Sequence, residues 1–432
     1  MRILAKDIPQ AAREKPEEEV MVQGWVHRVR ELGGVAFVIL RDRSGLLQVV
    51  LDRNPDLTPE TVIEARGLPA LNEKAPGGAE LKARSVTCVS KPAGELPYQV
   101  NGDPDRIGLE AILDHRSLSL RNPKIRAIFK VQATIIESFS AYLREQDFTE
   151  IKTSKLVGSG TEGGTELFEV SYFNRKVYLA QSPQLYKQTL VASGLERVFE
   201  IAPAYRAEKH DTPRHLNEYV SMDVEMGFIQ SERELMDLER GLLARIFQDV
   251  SRKNAAELAL YKTEAPSEQE ALNAPAVPYD EALKIASEAA GASGGGRIFD
   301  INPEAERLLC AWSRKEYGTD LVFVTEFPRR HRPFYTYPLD AARTMSFDAL
   351  FRGLEITTGG RRQHDYAALL EAVSKFGLNP ESLAGYLAVF KYGCPPHGGF
   401  AVGCERLTQK LLGLGSVKEA SLFPRDRKRV EP

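Results

Sequence analysis

Three short runs of aliphatic and β-branched residues follow one another between residues 20 and 51, and they constrain the fold more than any other feature. The runs read VMVQGWVHRV, VAFVILRD and LLQVVLD. They are separated by Gly33-Gly34 and by the turn-forming sequence DRSG at 42–45. Alternating apolar and polar side chains suit strands with one buried face, so the sequence predicts a β-meander.

The meander indicates a small barrel in this part of the chain. A stretch of helical character near 58–66 and a further β-rich run, ARSVTCVS at 83–90, follow it. About five strands and one helix within about a hundred residues are typical of an OB-type barrel. A generic β-barrel without a ligand is the alternative on this pattern alone.

At 432 residues the chain is too long for one ordinary core, and the sequence predicts two domains. Turn-forming residues concentrate at 94–108, and apolar residues then recur at helical spacing. Further on, β-rich runs are mixed with helical ones, which is typical of an α+β domain with an antiparallel sheet flanked by helices. We expect the barrel at 1–104, a hinge at 105–124, and the second domain at 125–432 with a helical insertion at about 254–297.

Composition limits the possible function. Charged residues make up 27% of the chain and hydrophobic residues 43%, as in soluble globular proteins. No apolar run approaches the roughly 20 residues that cross a bilayer, and the first residues lack an apolar signal core, so a cytoplasmic protein without membrane contact is expected. The four cysteines lack zinc-site spacing. The formal net charge of -3 argues against a histone-like binder, so any RNA contact must be local.

The segment FEIAPAYRAEKHDTPRHLNEY, at 199–219, has the residues of a phosphate-binding loop. Arg206 and Glu208 end a β-rich run, and Arg214 and His215 lie in the polar loop that follows. A guanidinium can neutralise a phosphate with a planar pair of hydrogen bonds, and Tyr219 can stack on a purine. A solvated, charged hairpin is the alternative for this segment taken alone.

A second segment, GGFAVGCERLTQKLLG at 398–413, places glycines in a strand that runs into a helix. Glycine permits a ligand to approach the backbone closely, and Arg406 at the helix start suits the face or the γ-phosphate of a nucleotide. No P-loop and no strand-coupled GxGxxG sequence is present, so a nucleotide would bind in some other way.

These two segments and FTEIKTSKL at 148–156 resemble motifs 2, 3 and 1 of the class II aminoacyl-tRNA synthetases, in the order of that class. GTEGGTELF, QSPQLYKQ, RGLEITTGGRRQHDY and LFPRDRKRVEP extend the resemblance over essentially the whole chain, to the archaeal-type aspartyl-tRNA synthetases. The resemblance implies a homodimer, and it leaves no room for the large extra domain of the usual bacterial enzyme. Ser154 replaces the usual proline of motif 1, which leaves the local dimer geometry open.

The resemblance implies an aspartate site. Lys187 and Arg362 would hold the β-carboxylate, Gln184 would place the substrate, and Glu162 would face the ammonium group. Such a site is expected to reject asparagine, because a neutral amide does not offset the desolvation of buried cations. The implied aspartate-binding residues are Glu162, Gln184, Lys187, Arg206, Thr358 and Arg362.

The resemblance also implies Mg²⁺ held with ATP by Asp348, Glu355 and Thr358. Asp348 and Glu355 are expected on one strand, where a spacing of seven would direct them to opposite faces unless a bulge intervenes. A structural acidic pair is the alternative. The implied ATP-binding residues are Arg206, Glu208, Arg214, His215, Leu216, Tyr219, Glu355, Gly403, Cys404, Glu405 and Arg406, of which Arg206, Glu355 and Arg406 are the expected catalytic groups.

The implied reaction has two steps. The aspartate α-carboxylate attacks the α-phosphorus of ATP, and the terminal 3′-hydroxyl of tRNA then attacks the aspartyl-adenylate. The sequence provides no evident general base, and His215 is expected to contact phosphate. A solvent-exposed loop histidine is the alternative for His215.

In the barrel, Phe37 and Gln48 match family positions that contact the central anticodon uridine, and stacking on an aromatic ring is the usual mode for such barrels. His27, in GWVHRV, stands where enzymes specific for tRNA-Asp have tryptophan, and Pro76 lies where their second discriminating contact is found. We therefore expect an enzyme that charges both tRNA-Asp and tRNA-Asn, with Asp-tRNA-Asn passed to an amidotransferase. A barrel-surface histidine without an RNA role is the alternative for His27.

Three rival functions remain at this stage. They are a discriminating aspartyl-tRNA synthetase, an asparagine ligase that does not use tRNA, and a non-catalytic RNA-binding paralogue. The complete set of charged site residues argues against the paralogue, and the retained barrel argues against the ligase.

Overall fold

The computed structural model describes residues 2–158, 167–209, 211–292 and 295–431. The chain forms two compact units, Met1–Ile107 and Gly108–Pro432. The helices of 109–119, in the stretch where a hinge was expected, belong to the second unit, and Leu113 is buried there.

The first unit is a closed five-stranded barrel, which confirms the predicted OB fold. Its strand order is β1-β2-β3-β5-β4, and a short helix, α1 (Ile8–Glu14), packs on β4 and β5. Alternate residues of each strand fill the interior, as the two-residue period predicted. The strands are β1 (Val20–Leu32), β2 (Val35–Arg41), β3 (Leu46–Leu51), β4 (Val62–Leu71) and β5 (Ala79–Ser90).

The expectation of a helix near 58–66 is wrong. Strand β4 begins at Val62 and pairs with β1 on one side and β5 on the other. Local composition there suits a helix, but two ladders of backbone hydrogen bonds and the buried Ile63 and Ala65 favour the strand.

The second unit is built on an eight-stranded sheet of order β12-β13-β14-β15-β16-β11-β10-β6. The inner strands are antiparallel, as predicted, and within the described part of the chain only the edge pairs β12–β13 and β6–β10 are parallel. A small sheet of order β7-β9-β8 lies apart from it. The strands are β6 (Thr149–Glu150), β7 (Leu156–Val157), β8 (Glu169–Tyr172), β9 (Arg175–Leu179), β10 (Arg197–Tyr205), β11 (Glu218–Gly227), β12 (Ala276–Pro278), β13 (Leu321–Thr325), β14 (Ser346–Phe351), β15 (Leu354–Arg362) and β16 (His397–Gly403).

Two long helices, α4 and α6, pack against each other and contribute to the main core beside the sheet. Asn122 caps α4 ahead of Pro123, and Ser231 with Glu234 forms a capping box on α6. Among the described residues no helix is both long and apolar enough to span a membrane. The helices of this unit are α2 (Leu109–Asp114), α3 (Arg116–Ser119), α4 (Pro123–Glu145), α5 (Gln184–Leu190), α6 (Glu232–Lys253), α7 (Ala255–Leu260), α8 (Glu268–Leu272), α9 (Tyr279–Ala292), α10 (Pro303–Tyr317), α11 (Tyr366–Lys375), α12 (Ala384–Lys391) and α13 (Cys404–Leu412).

The insertion expected to be helical at 254–297 also contains an edge strand. Strand β12 pairs in parallel with Phe323–Thr325 of β13 and so extends the main sheet. The helix α9 follows β12 directly, and its buried alanines pack with α10. This segment is therefore part of the domain core rather than an appended helical subdomain.

A buried arginine holds residues 419–422 against the rest of the second unit. Arg116 is 2% exposed, and its guanidinium donates to the carbonyls of Glu419 (2.9 Å), Ser421 (2.6 Å) and Leu422 (2.8 Å). The neighbouring segment then supports the loop at 211–217. The amide of Asn217 donates to the carbonyl of Arg425, and the amide of Val417 donates to that of Pro213, both at 2.8 Å.

We predict that Arg116→Met lowers the free energy of unfolding of the second unit by about 2–4 kcal/mol, because three charge-assisted hydrogen bonds are lost. Urea unfolding followed by circular dichroism measures the change. Lys375→Met, at an exposed ion pair on α11, is the matched control and should leave stability nearly unchanged. Equal stability of the two variants would contradict the role given to Arg116.

Candidate active site

A cavity of about 420 Å³ opens over β11, β15 and β16 of the main sheet. Tyr219, Ser221 and Asp223 line it at alternate positions of β11, as residues on one face of a strand must. Most of the residues that the sequence assigned to aspartate or ATP also line it: Gln184, Lys187, Arg206, Glu208, Arg214, His215, Leu216, Tyr219, Glu355, Thr358, Arg362, Gly403, Glu405 and Arg406.

Three assigned residues are not among those that line the cavity. Glu162 lies outside the described residues. Cys404 is fully buried at the start of α13, because the strand-to-helix junction turns it into the core while Gly403 and Glu405 face the cavity. The side chain of Cys404 therefore does not line the cavity, and the assignment of this residue to ATP stays a prediction. Asp348, the third of these residues, is buried and forms an ion pair with Arg332.

Four buried charges form a cluster at one end of the cavity. Lys187 Nζ lies 3.0 Å from Asp223 Oδ1 and 3.3 Å from Glu225 Oε2, and Arg362 Nε lies 3.0 Å from Glu225 Oε1. All four side chains are at most 7% exposed. We call these four residues the charge cluster. Its formal charge is zero, so its two cations are already compensated before any ligand enters.

Sequence reasoning found the two cations and missed the two carboxylates. Asp223 and Glu225 lie in the run VSMDVEMGF, where two acids at alternate positions of an apolar strand project to the same face. That spacing was the available clue. Burial alone would raise the pKa of Glu225, but the adjacent Arg362 and Lys187 lower it below its usual range, so the carboxylate stays ionised.

Strand β16 reaches the cluster through a glycine. Arg362 donates from Nη2 to the carbonyl of Gly399 at 2.9 Å. A Cβ atom at position 399 would overlap the carbonyl of Val224 and the carboxylate of Glu225. The glycine-rich sequence of β16 therefore permits close packing of the cluster, in addition to the ligand approach that the sequence suggested.

The loop after β10 is held by an asparagine that the sequence analysis missed. Asn217 donates from Nδ2 to the carbonyls of Arg206 (2.6 Å) and Glu208 (3.1 Å), and its own carbonyl accepts from the amide of Arg206 at 2.8 Å. The guanidinium of Arg206 lies 5.6 Å from the ring centre of Tyr219. A cation and an aromatic ring thus face the cavity side by side.

A buried carboxylate on α10 pairs with the loop arginine. Arg214 forms an ion pair with Glu306, which is not exposed to the cavity. Burial raises the pKa of Glu306 to about 7, against the lowering effect of Arg214. His215 is hydrogen-bonded through Nδ1 to Thr212 at 2.6 Å.

The predicted metal ligands lie on two strands rather than one. A turn at Arg352 and Gly353, both in the left-handed region, separates β14 from β15, and Asp348 lies opposite Thr358 in the register. The pairing of β14 with β15 also shifts in register between Ala349 and Leu350. The expectation of a single strand is wrong because these two residues allow a tight hairpin.

Each carboxylate of this set has an arginine partner. Asp348 Oδ1 lies 2.8 Å from Arg332 Nη2, and Glu355 Oε1 lies 3.1 Å from Arg406 Nη1 and 3.4 Å from Thr358 Oγ1. Burial raises the pKa of Asp348 to about 6. No group of three His, Cys, Asp or Glu side chains within the described ranges is arranged to hold a metal. Two carboxylates and a hydroxyl suit Mg²⁺ that is shared with phosphate oxygens and water.

Glu405 has a structural role beside the cavity. Both of its carboxylate oxygens accept from the amide of Val220 at 3.1 Å. Burial raises the pKa of Glu405 to about 7. The carboxylate links the start of α13 to β11. This link also fixes the position of Arg406, the next residue of the helix.

In the barrel, Phe37 and Gln48 are half-buried on strand faces that point away from the core. Arg30 lies opposite Phe37 in the register of β1 and β2. Gln48 donates from Nε2 to Glu80 at 2.8 Å. Pro76 begins a short 3-10 turn, Pro76–Gly78, in the loop between β4 and β5 and is half-buried. An outward-facing aromatic ring with an arginine opposite it on the neighbouring strand forms a surface on which unpaired bases can stack.

His27 lies at an irregularity of β1 that the sequence did not reveal. The pairing of β1 with β2 shifts between Val26 and Arg28, so His27 has no partner in that register. Its Nδ1 lies 3.1 Å from Nη1 of Arg41. A bulge of this kind re-aims a side chain relative to the regular strand.

Comparison with known proteins agrees with both units. Residues 108–427 match tRNA synthetases class II (D, K and N), and residues 20–89 match the OB-fold nucleic acid binding domain. The fold and this match define the class: the chain belongs to the class II tRNA synthetases, and it is an aminoacyl-tRNA ligase.

Individual relatives cover essentially the whole chain. The Aspartate--tRNA(Asp/Asn) ligase of Thermus thermophilus is 47% identical over all of both chains. The Aspartate--tRNA(Asp) ligase of Pyrococcus horikoshii is 40% identical over 96% of each. The crystal structure of asparaginyl-tRNA synthetase from Pyrococcus horikoshii with asparaginyl-adenylate is similar with a TM-score of 0.87 and 30% identity, over 97% of this chain and 98% of that one.

We predict that Gly399→Ala destabilises the second unit by about 3 kcal/mol, the upper range for overpacking, and sharply reduces aminoacylation because Glu225 must move. Thermal unfolding and aminoacylation measure the two effects. Gly385→Ala, in α12 with nothing within 4 Å of the added Cβ, is the control and should be neutral or slightly stabilising. A folded, fully active Gly399→Ala enzyme would contradict the packing described for β16.

Proposed function

We propose that this enzyme activates L-aspartate with ATP and transfers aspartate to the 3′ ends of both tRNA-Asp and tRNA-Asn. The observation that carries the amino-acid assignment is the charge cluster, which presents Lys187 and Arg362 to the cavity on a rigid base of two carboxylates. The dual tRNA assignment is supported by His27 and by the name of the Thermus thermophilus relative, Aspartate--tRNA(Asp/Asn) ligase.

Donor chemistry explains the choice of aspartate over asparagine. Lysine and arginine carry only N–H donors, so the β-carboxylate of aspartate can accept from both. The NH₂ group of asparagine also carries only N–H donors, so it could accept from neither cation and would itself be left unpaired in a buried site, which is costly. Gln184, whose Oε1 lies 3.5 Å from Arg362 Nη2, borders the same space and would orient the substrate. Glu162 would face the ammonium group.

The arginines of the cavity suit the nucleotide. Arg206 beside Tyr219 would contact the α-phosphate and the adenine, and Arg406 and Arg214 with His215 would contact the remaining phosphates. The aspartate α-carboxylate attacks the α-phosphorus in line and pyrophosphate leaves, while Arg206 stabilises the charge that develops on the phosphoryl oxygens. Asp348, Glu355 and Thr358 would hold Mg²⁺, which supplies further charge neutralisation when bound.

The second step needs positioning rather than a side-chain nucleophile. The 3′-hydroxyl of the terminal adenosine attacks the aspartyl-adenylate, and AMP leaves with its negative charge near Arg206. In the barrel, Phe37 would stack on the central uridine of the anticodon and Gln48 would hydrogen-bond it. We also propose a cytoplasmic homodimer that passes Asp-tRNA-Asn to an amidotransferase.

A second candidate is an enzyme for asparagine, since the asparaginyl-tRNA synthetase of Pyrococcus horikoshii is similar over nearly the whole chain. ATP–pyrophosphate exchange measured with each amino acid separates the two. Exchange driven by asparagine and not by aspartate would overturn the aspartate assignment.

Arg362→Leu should reduce aspartate-dependent ATP–pyrophosphate exchange at least about 30-fold, because a charge-assisted contact worth about 2 kcal/mol or more is lost. Binding of tRNA should change little, since the barrel is untouched. Arg361→Leu is the matched control: Arg361 is the adjacent residue, but it lies over the Tyr337 ring and outside the cavity. Normal exchange in Arg362→Leu would refute the assignment.

His27→Trp should lower charging of tRNA-Asn more than charging of tRNA-Asp, because the larger ring no longer accommodates both pyrimidines. Aspartylation of unmodified transcripts measures both. Leu32→Trp, at an exposed position of the same strand, is the control. If the unaltered enzyme prefers tRNA-Asp by more than about a hundredfold, some 2.7 kcal/mol, it is a discriminating enzyme instead.

A further inference from the structure

The position of His27 is fixed from the backbone as well as from the side chain. The residue lies at the bulge of β1, and its carbonyl accepts from Nδ2 of Asn101 at 2.6 Å. The imidazole is half-buried, and its Nδ1 is directed inward to the buried Arg41. Its orientation therefore depends on what its inner nitrogen contacts.

The group in contact with Nδ1 of His27 is the guanidinium of Arg41. This contact determines which nitrogen of the imidazole carries the proton. Arg41 Nη1 lies 3.1 Å from His27 Nδ1. Arginine has N–H donors and no acceptor, so Nδ1 must accept and cannot be protonated. Burial, followed by the charge of Arg41, lowers the pKa of His27 to about 4, so the ring is neutral near pH 7. The single proton lies on Nε2.

Arg41 is itself held firmly. Its Nη2 lies 2.8 and 3.1 Å from the two carboxylate oxygens of Glu60, and both side chains are 1% exposed. Glu60 has a φ of 66°, a left-handed conformation that glutamate rarely adopts. A buried ion pair and a strained backbone both cost free energy, and such features persist where the surrounding structure fixes a functional geometry.

We propose that Arg41, clamped by Glu60, is a positioning residue for tRNA selection: it fixes His27 in the tautomer that offers only an N–H donor to the anticodon. This inference rests on the dual tRNA specificity proposed above. Cytosine and uracil differ at N3 and C4 but share the acceptor O2. An N–H donor directed at O2 can bind either base. An unprotonated ring nitrogen would instead need a donor from N3 or from the C4 substituent, where cytosine and uracil differ.

The first test is spectroscopic and uses the unaltered enzyme. In ¹⁵N-histidine-labelled protein the chain has seven histidines, and His27→Asn identifies the signals of His27. The expected result near pH 7 is an unprotonated Nδ1 and a protonated Nε2. A protonated Nδ1 would overturn the proposal, and this measurement does not depend on the folding of any Arg41 variant.

The second test is a double-mutant cycle. Arg41→Lys keeps a cation beside Glu60 but lacks the fork that serves Glu60 and His27 together. The KM for tRNA-Asp and for tRNA-Asn should rise by about threefold or more, with pyrophosphate exchange unchanged, and the rise should vanish in the His27→Trp background. An equal rise in that background would mean that Arg41 only supports the barrel, and would overturn the proposal.

Failure of the dual-specificity proposal gives a different result. If the unaltered enzyme does not charge tRNA-Asn, that proposal fails, while the tautomer and the effect of Arg41→Lys on the KM for tRNA-Asp still test the role of Arg41.

Discussion

Mutual compensation of four buried charges underlies the architecture of the cavity. Lys187 comes from α5, Asp223 and Glu225 from β11, and Arg362 from β15, while Gly399 of β16 admits them side by side. A lone ion in such a site would cost several kcal/mol, so removal of any member leaves its partners uncompensated. The cluster therefore joins three strands and a helix and at the same time fixes the groups proposed to bind substrate.

The barrel uses the same device on a smaller scale. Arg41 and Glu60 are as deeply buried as the residues of the charge cluster. Their pair positions one side chain, the imidazole of His27, whereas the charge cluster lies at a cavity. In both units a carboxylate fixes a cation by a buried ion pair, and the cation then determines what a neighbouring group offers to a ligand. Rigid charged pairs of this kind limit reorganisation when the ligand arrives.

The sequence predicted the barrel and the arginines of the cavity because both depend on local patterns. Two-residue alternation identifies strands, Arg206 and Arg406 lie in the two segments typical of nucleotide binding, and the family resemblance implies Arg362. Long-range pairing was not predictable: β4 overrides local helical character, and β12 joins the sheet from an insertion. The partners Glu306 of Arg214 and Arg332 of Asp348 come from segments without a motif, so only the folded chain brings them together.

The contacts of residues 417–425 with the loop at 211–217 have a consequence for the order of folding. Asp211 and Lys418 pair across 207 positions of chain. Closing so long a loop is slow and costs conformational entropy. This entropy is lost before the contacts that stabilise the closed loop can form. During synthesis the sheet strands β10 and β11 are made long before Arg425 emerges. The loop at 211–217 must therefore lack its contacts with residues 417–425 on a nascent domain until those residues have been translated, so any function of the cavity that depends on these contacts is acquired late by the growing chain.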